Sequence, residues 1–296
     1  MANPNTQYEN WRGMVWAIIA VLSASAMSLS VRGASLEIDS RLIVFHRFLL
    51  GFAILVVILA LVPSQRKTLR FSNPKLHIVR GILIGASTLL GFYALATIEL
   101  AAATVLFGLA PIFATIISVL FLGQSIGYRR VLAIIAGFIG AVIIIDPRFE
   151  MHIGMLSALG SAFLFGTALA MSRGLAQTDG TFSTLLSSTL MTVIVAGITS
   201  IPVFEWPTGT TIWIWLWILI ITGLLRQFAD IQSYKFAEAA ALAPIFYLRL
   251  IFIAIGGYLL FSEIPKINTW IGASIVIAST IYMTFRERKL DKKNSA

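Results

Sequence analysis

Residues 91–145 read GFYALATIELAAATVLFGLAPIFATIISVLFLGQSIGYRRVLAIIAGFIGAVIII, and a second copy of this pattern occupies residues 230–284. A shift of 139 positions superimposes like residues, namely Glu99 on Glu238, Ala101 on Ala240, Phe107 on Phe246, Phe113 on Phe252 and Gln124 on Glu263. An internal repeat of this length predicts that the chain consists of two related halves.

The composition is far too apolar for an ordinary soluble protein. Of the 296 residues, 58% are hydrophobic and only 12% are charged, whereas a soluble domain carries about 25% charged residues. The net charge of +9 comes from short basic clusters between apolar runs. Such clusters are typical of a membrane protein and do not indicate nucleic-acid binding. The composition therefore predicts an integral membrane protein surrounded by the lipid bilayer.

Side chains that bind metals or carry out catalysis are scarce. The chain has no cysteine and 3 histidines, His46, His77 and His152, which are widely separated in the sequence. This spacing does not predict a metal site. There is also no Gly-x-Ser-x-Gly elbow and no phosphate-binding glycine loop. We therefore expect no cofactor and no catalytic residues, and an integral membrane enzyme is the weakest alternative.

Ten apolar runs lie between a polar N-terminal tail (1–12) and a basic C-terminal tail (287–296). They cover residues 13–33, 41–62, 76–97, 100–122, 129–146, 152–174, 181–203, 211–235, 238–261 and 267–286. Each is close to the roughly 20 residues that a helix needs to cross the hydrocarbon core. Five spans fall in each repeat, 13–146 and 152–286. Because five is odd, the second repeat is inverted relative to the first. The predicted fold is all-α, with ten transmembrane helices as two inverted five-helix repeats.

The distribution of basic residues predicts the orientation. If both termini are cytoplasmic, 15 of the 22 lysines and arginines fall on the inner side, 4 on the outer side and 3 within spans. Cytoplasmic segments carry the excess of Lys and Arg in membrane proteins. We therefore expect both termini in the cytoplasm.

Charged side chains within the predicted spans are the first candidates for a binding site, because each costs at least about 2.5 kcal/mol on insertion scales. Arg47 follows His46 in the second span, Arg226 and Asp230 lie four apart in the eighth, and Arg249 lies in the ninth. Residues four apart share a helical face. Arg226 and Asp230 therefore either neutralise each other or present Asp230 to a cavity.

Each of these groups is a candidate for binding a charged group in a cavity. Asp230, with Gln227 beside it, is a candidate for binding a cationic group or a proton, and His46 is a second candidate proton carrier. Arg47 either extends to the outer end of its helix or binds a substrate carboxylate through its forked donors. Arg249 is a further candidate whose helix face the sequence leaves open.

Aromatic residues within the repeated stretches are candidates for stacking on a ring-shaped substrate, although most buried aromatics are packing residues. They are Tyr93, Phe107, Phe246 and Tyr247. Glu99 and Glu238 begin matching spans, where a carboxylate is favoured by the helix dipole, so a capping role is expected. Glycines and alanines at intervals of four in the fifth and sixth spans predict close helix packing.

Several motifs together resemble the drug/metabolite transporter superfamily, in its EamA branch, over residues 13–286. They are YAL at 93–95, AAAT at 101–104, PIF at 111–113, LGQ at 122–124, GFIG at 137–140, AP at 243–244, YLLFSE at 258–263 and WIGA at 270–273. Gln124 departs from the glutamate that is common in the family, whereas Glu263 keeps it. The resemblance implies a central cavity lined by spans one to four and six to nine, with spans five and ten at the periphery.

Two further motifs, HRF at 46–48 and PKLHIVRG at 74–81, are similar to the S-adenosylmethionine uptake group of that branch. The resemblance implies a secondary transporter in a bacterial inner membrane, a monomer or homodimer, that takes up S-adenosylmethionine, either alone or in exchange for S-adenosylhomocysteine. Arg47 would bind the carboxylate, Asp230 the amino or sulfonium charge, and Tyr93 or Tyr247 the adenine. The alternatives are proton-coupled export of amino acids or drugs, a riboflavin carrier and a passive channel.

Overall fold

A computed structural model describes residues 10–122, 128–145, 152–237 and 239–294. The helices are α1 (Asn10–Ala34), α2 (Ser40–Leu61), α3 (Pro63–Thr68), α4 (Pro74–Thr97), α5 (Leu100–Phe107), α6 (Ala110–Leu122), α7 (Tyr128–Ile145), α8 (Ile153–Ser200), α9 (Thr210–Phe236), α10 (Ala239–Phe261) and α11 (Ile267–Asn294). A single 3-10 turn, Ile201–Val203, follows α8. These described residues include no strand, so the all-α part of the prediction is confirmed.

Seven helical segments in the described ranges are long and apolar enough to cross a membrane. They are Trp11–Ala34, Ser40–Leu61, Pro74–Thr97, Leu100–Ile117, Ile153–Met171, Phe182–Val203 and Thr210–Asp230. Three shorter apolar helices accompany them, Val131–Ile145, Ile245–Phe261 and Ile267–Tyr282. Each segment overlaps one of the predicted runs, although the last three fall short of the length that a span ordinarily needs. The chain is a multi-pass membrane protein.

The fourth predicted run is interrupted between α5 and α6. Gly108 ends α5, and its N–H donates to the carbonyls of Thr104 and Val105 at 3.3 and 2.9 Å. Pro111, in the first turn of α6, has no N–H to continue the helical ladder of α5. The backbone therefore makes a tight turn within one span. The helix break therefore begins at Gly108, three residues before Pro111.

The sixth and seventh predicted runs are joined in one helical element, α8, which is kinked at Gly180. This glycine has φ 81° and ψ 163°, a combination essentially restricted to glycine. It separates a first arm, Ile153–Met171, from a second arm, Phe182–Val203. The segment 175–179 between the two predicted runs is therefore helical up to the kink.

Asp179, the residue before the kink, anchors α8 to the beginning of α4. Its carboxylate accepts hydrogen bonds from the Ser72 hydroxyl at 2.5 Å and the Ser72 N–H at 3.0 Å, and it pairs with Nε2 of His77 at 2.9 Å. The other ring nitrogen of His77 lies 2.9 Å from the Ser187 hydroxyl in the second arm. His77 and Asp179 are both buried. The PKLHIVRG motif therefore forms a junction that joins the two predicted repeats.

Helix pairs approach closely at glycines. A Cβ on Gly13 of α1 would overlap Ala237 at the end of α9, and one on Gly137 of α7 would overlap Ile112. A Cβ on Gly166 of α8 would overlap the Ala110 carbonyl. The small-residue spacing in the fifth and sixth predicted spans thus does correspond to close packing.

We predict that Gly180→Ala destabilises the protein by about 1–3 kcal/mol, because alanine has to adopt a backbone conformation that only glycine tolerates. No atom lies within 4 Å of the added methyl group, so the cost is conformational. The measurement is thermal unfolding in detergent. Gly51→Ala is the matched control, since it also enters open space but lies inside α2, where alanine is the better helix former. Equal melting temperatures for both variants would contradict the prediction.

The contacts of Asp179, which lies between the two spanning arms of α8, also predict that the stability of the protein depends on pH. Hydrogen bonds from Ser72, and then from His77, hold the pKa of the Asp179 carboxyl below its ordinary value. A depressed pKa adds stability above the unfolded value of about 3.9, and this stability is lost as the pH falls through the folded pKa. Asp179→Asn is therefore expected to lower the melting temperature at pH 7, with the difference from wild type closing below about pH 4.

The control for this measurement is Asp39→Asn. Asp39 pairs locally with Arg41 at 2.9 Å on the surface, where an ion pair contributes about 0–1 kcal/mol. A melting temperature that falls as little in Asp179→Asn as in Asp39→Asn at pH 7 would show that the junction contributes no stability.

Candidate functional site

A cavity of about 650 Å³ lies between the two halves of the chain, within the range of about 300–1,000 Å³ of small-molecule sites. Its charged lining residues are Arg47, Arg226 and Arg249, its hydroxyl groups are on Ser87, Thr88, Thr104, Ser161, Tyr247 and Thr280, and its phenyl rings are on Phe48, Phe92, Phe107, Phe165 and Phe246. Polar groups in an otherwise apolar cavity are typical of a site for an organic solute.

The lining differs in two ways from what the family resemblance implied. Helix α11, the tenth predicted span, contributes Val276, Ile277 and Thr280 to the cavity, so it is not peripheral. The second arm of α8, the seventh predicted span, contributes no described residue to the lining. It packs instead against α4, where Gly81 meets Met191 and Gly85 meets Val195.

The side chain of Arg47 points into the cavity. Its guanidinium carbon lies 5.0 Å from the ring centroid of Phe48 and 5.4 Å from that of Phe92. Space for it is left by Gly223 of α9, at which a Cβ would lie 2.9 Å from Nη2 of Arg47. Arg47 thus does not extend to the outer end of α2. Among the described residues it has no hydrogen-bond or ion-pair partner, only two ring faces.

Arg226 and Asp230 form the predicted pair on one face of α9. Nε of Arg226 lies 3.5 Å from Oδ2 of Asp230, with about a third of each side chain exposed. Arg226 lines the cavity, whereas Asp230 and Gln227 are outside its lining. Arg226 and Asp230 therefore neutralise each other in this structure, which is one of the two alternatives that the sequence left open.

Arg249 lies in the middle of α10 and faces α1. Its Nη2 donates a hydrogen bond to the Ser28 hydroxyl at 2.8 Å. Its buried Nε has no hydrogen-bond partner within the described part of the chain. The charges of Arg226 and Asp230 are its electrostatic neighbours. The helix face of Arg249, which the sequence left open, is thus the cavity face.

The remaining candidates divide into two groups. Phe107 and Tyr247 line the cavity, as does Phe246. Tyr93 does not: it is 37% exposed and outside the lining. His46 is also outside the lining, buried with its Nδ1 hydrogen-bonded to the Leu42 carbonyl at 2.8 Å.

His46 is enclosed by tryptophan rings instead of facing the solute. The ring centroids of Trp206 and Trp213 lie 5.9 and 6.4 Å away, in edge-on contacts. Its Nε2 is buried with no partner among the described residues. With no described carboxylate bonded to it, His46 has the surroundings of a packing residue.

Sequence reasoning missed three of the cavity phenylalanines. Phe48 had a signal, since it belongs to the HRF motif next to Arg47. Phe92 and Phe165 had none, because a single phenylalanine in an apolar run looks the same whether it faces a cavity, a helix or lipid.

Two glutamates cap helices at the end of the cavity where α4 and α10 finish. Glu263 accepts a hydrogen bond from the Leu100 N–H at the start of α5 at 3.0 Å and pairs with Arg32 of α1 at 2.5 Å. Glu99 accepts from the Lys266 N–H before α11 at 3.2 Å. The expected capping role of Glu99 therefore acts on α11 and not on its own helix α5. Glu238 and Gln124, the repeat counterparts of these two, are outside the described residues.

The two glutamates differ in their surroundings. Burial raises the pKa of the Glu99 carboxyl above its ordinary value, opposed by the hydrogen bond from Lys266. Glu263 instead has the Arg32 guanidinium as a direct partner, and the same guanidinium also donates to the carbonyls of Leu95 and Ala96. The Glu263 contact therefore joins α1, α4, α5 and α10.

We predict that Glu263→Gln lowers the free energy of unfolding by about 1.5–3 kcal/mol, the range for a hydrogen bond to a charged group, because it leaves Arg32 without its anion. Glu99→Gln is the matched control and is expected to cost less, since it keeps an acceptor for Lys266 and removes a carboxylate that burial disfavours. Denaturant unfolding in micelles measures both. Equal losses would contradict the assigned role of Arg32.

In comparisons with known proteins, the matching family and the similar proteins are all named as transporters. The profile of the EamA-like transporter family matches residues 11–146. An S-adenosylmethionine uptake transporter of Rickettsia bellii is 30% identical over 95% of this chain and 96% of its own. A riboflavin transporter of Vibrio cholerae is 25% identical over 95% and 96%, and a pseudopaline exporter of Pseudomonas aeruginosa is 27% identical over 92% and 95%.

A solved structure gives the same fold. A crystal structure of a protein with 18% sequence identity superimposes with a TM-score of 0.63 and covers 94% of this chain and 97% of its own. At this identity the likeness concerns the fold alone. The similar bacterial proteins are named as transporters of three different solutes, so they narrow the class of function more than the substrate.

Proposed function

The chain belongs to the EamA-like transporter family, and we propose that it is a secondary carrier that moves a small organic metabolite across a bacterial inner membrane. In this proposal ten spans form two inverted five-helix repeats that give alternating access to the central cavity, and both termini are cytoplasmic. The observation that carries it is the cavity itself, to which both halves contribute and which is lined by arginines from apolar helical segments.

Equivalent contacts in the two halves support the inverted repeat. Gly13 at the start of α1 packs on Ala237 after α9, and Gly154 at the start of α8 packs on Ile98 after α4. Gly154 is the repeat counterpart of Gly13 at a shift of 141, and Ala237 is that of Ile98 at a shift of 139. Interchanging the two halves of the chain therefore turns each of these contacts into the other. A two-fold axis between inverted repeats requires this relation.

A second set of contacts has the same symmetry, between α7 and α11. A Cβ on Gly137 would lie 3.2 Å from the Ser279 hydroxyl, and one on Gly140 would lie 2.8 Å from Val276. A shift of 139 takes Gly137 to Val276 and Gly140 to Ser279. This helix pair therefore maps onto itself, as expected for a pair that lies on the axis.

S-adenosylmethionine is the first candidate solute, because relatives that align with almost the whole chain carry that name. Arg47 is suited to its carboxylate, since the guanidinium faces the cavity without an anion. Tyr247 and Phe107 offer ring faces to the adenine. The amino or sulfonium charge would compete with Arg226 for Asp230. Tyr93 has no part in this proposal.

The second candidate is transport of another solute. Relatives named as a riboflavin transporter and a pseudopaline exporter match over equally large parts of the chain, and the phenyl rings of the cavity suit any planar solute. In a proton-coupled exporter of amino acids or drugs, Asp230 is the better-placed proton carrier, because about a third of its side chain is exposed and its protonation would release Arg226. His46 is the weaker one, since aromatic rings enclose it.

We predict saturable uptake of labelled S-adenosylmethionine into proteoliposomes, accelerated by unlabelled S-adenosylhomocysteine trapped inside. Asp230→Asn is expected to abolish uptake of this cationic solute, because the only described carboxylate beside the cavity arginines is then neutral. Asp39→Asn, on the surface outside the cavity, is the control and is expected to transport normally.

Three outcomes would contradict this prediction in different ways. Normal uptake by Asp230→Asn would remove Asp230 from the mechanism. No uptake by folded wild-type protein would exclude S-adenosylmethionine as the solute, and the same assay with riboflavin and amino acids would then decide among the other carriers. Uptake that neither saturates nor responds to trapped solute would indicate a pore and not an exchanger.

A further inference from the structure

The charges of the cavity do not balance. Three guanidinium groups line it, and no carboxylate does so in the described part of the chain. The one carboxylate beside them, Asp230, is held by Arg226. Counted over the described residues, three positive charges and one negative charge leave a formal charge of +2, and Arg47 and Arg249 are the two guanidinium groups that have no anion among those residues.

The other described carboxylates near the bundle ends have partners of their own. Glu263 is bound to Arg32 and Leu100, Glu99 to Lys266, and Asp179 to Ser72 and His77. Each of these contacts joins helix ends, and none of the three residues lines the cavity. They therefore do not neutralise its arginines.

This excess charge persists at any physiological pH, because an arginine side chain is not deprotonated in proteins. Its effect is large, because a charge in a partly desolvated site interacts far more strongly than in water. Phenyl rings beside Arg47 offset only a part of it, since a cation–π contact is weaker than an ion pair. A solute that enters is therefore subject to a strong preference for negative charge.

We infer that the cavity discriminates among solutes by net charge: it binds carboxylate-bearing solutes whose net charge is zero or negative more tightly than similar solutes that are net cations. This inference rests on the proposed function, in which the cavity is the transport site. Arg47 and Arg249 supply the unmatched donors for anionic oxygens, and forked guanidinium donors suit a carboxylate. Asp230 moderates the preference without reversing it.

The two compounds of the proposed exchange differ in net charge. S-adenosylmethionine carries one carboxylate, one ammonium and one sulfonium group, so it is a net cation. S-adenosylhomocysteine lacks the methyl group on sulfur and has no net charge. The two compounds differ by one methyl group and one charge, so their relative affinity reports the electrostatics of the cavity with little change in shape.

The test is competition binding to the full chain in lipid nanodiscs, with both compounds. We expect S-adenosylhomocysteine to bind at least about tenfold more tightly, a modest effect for one unit charge at an effective dielectric constant of about 20. Arg249→Gln is expected to shrink this ratio toward one, whereas Arg249→Lys, which keeps the charge, preserves it. Asp230→Asn is expected to enlarge the ratio.

Tighter binding of S-adenosylmethionine by the wild type would overturn the inference and leave the proposed function standing. A ratio that changes equally in Arg249→Gln and Arg249→Lys would also overturn it, because shape and not charge would then be responsible.

If neither compound binds, the proposed solute is wrong and the inference is tested by thermal stabilisation with succinate and putrescine, a dicarboxylate and a diamine of equal chain length. Stabilisation by succinate alone supports the inference. Stabilisation by putrescine, or by neither compound, overturns it.

Discussion

The main constraint on this structure is the positive charge in its central cavity, most of which has no anion among the described residues. An arginine at membrane depth is costly unless it faces a cavity or a partner, and Arg47, Arg226 and Arg249 all face the same cavity. The helices are arranged to permit this. Gly223 leaves room for the guanidinium of Arg47, and Ser28 of α1 binds that of Arg249. A solute that brings a carboxylate completes the arrangement.

Different chemistry joins the two halves of the chain at the two ends of α4. At the end where α4 begins, a buried carboxylate and imidazole join α4 to the kink of α8. At the other end, Glu263 and Glu99 each cap a helix of the opposite repeat, and Arg32 adds an ion pair. Both sets join one half of the chain to the other. A carrier that opens alternately has to release one set while it keeps the other.

Much of the fold follows from apolar runs and the repeat, which depend on composition and spacing alone. The pairing of Arg226 with Asp230 follows from their spacing of four, since the partners are on one helix. Contacts between helices do not follow in this way. The packing of Phe92 and the exposure of Tyr93 depend on the rotation of α4. Residues 89–96 carry no charged side chain that would reveal this rotation in the sequence.

Breaks within the helices are equally hard to predict from the sequence. The turn at Gly108 depends on Pro111 three residues later, and the continuity of α8 depends on a single glycine at positive φ. The exchange of caps between Glu99 and Glu263 needs the tertiary fold, because the capped helix is more than 160 residues away in the chain. The repeat predicts that the two glutamates are related to helix ends, but not which helix each one caps.

The most direct measurement concerns access to the cavity from each side of the membrane. Because the chain has no cysteine, a single Thr104→Cys in the cavity lining can be labelled with a membrane-impermeant thiol reagent in vesicles of both orientations. The proposed carrier predicts that added solute raises the labelling rate from one side and lowers it from the other. Labelling from both sides that solute slows equally would contradict alternating access and indicate a pore.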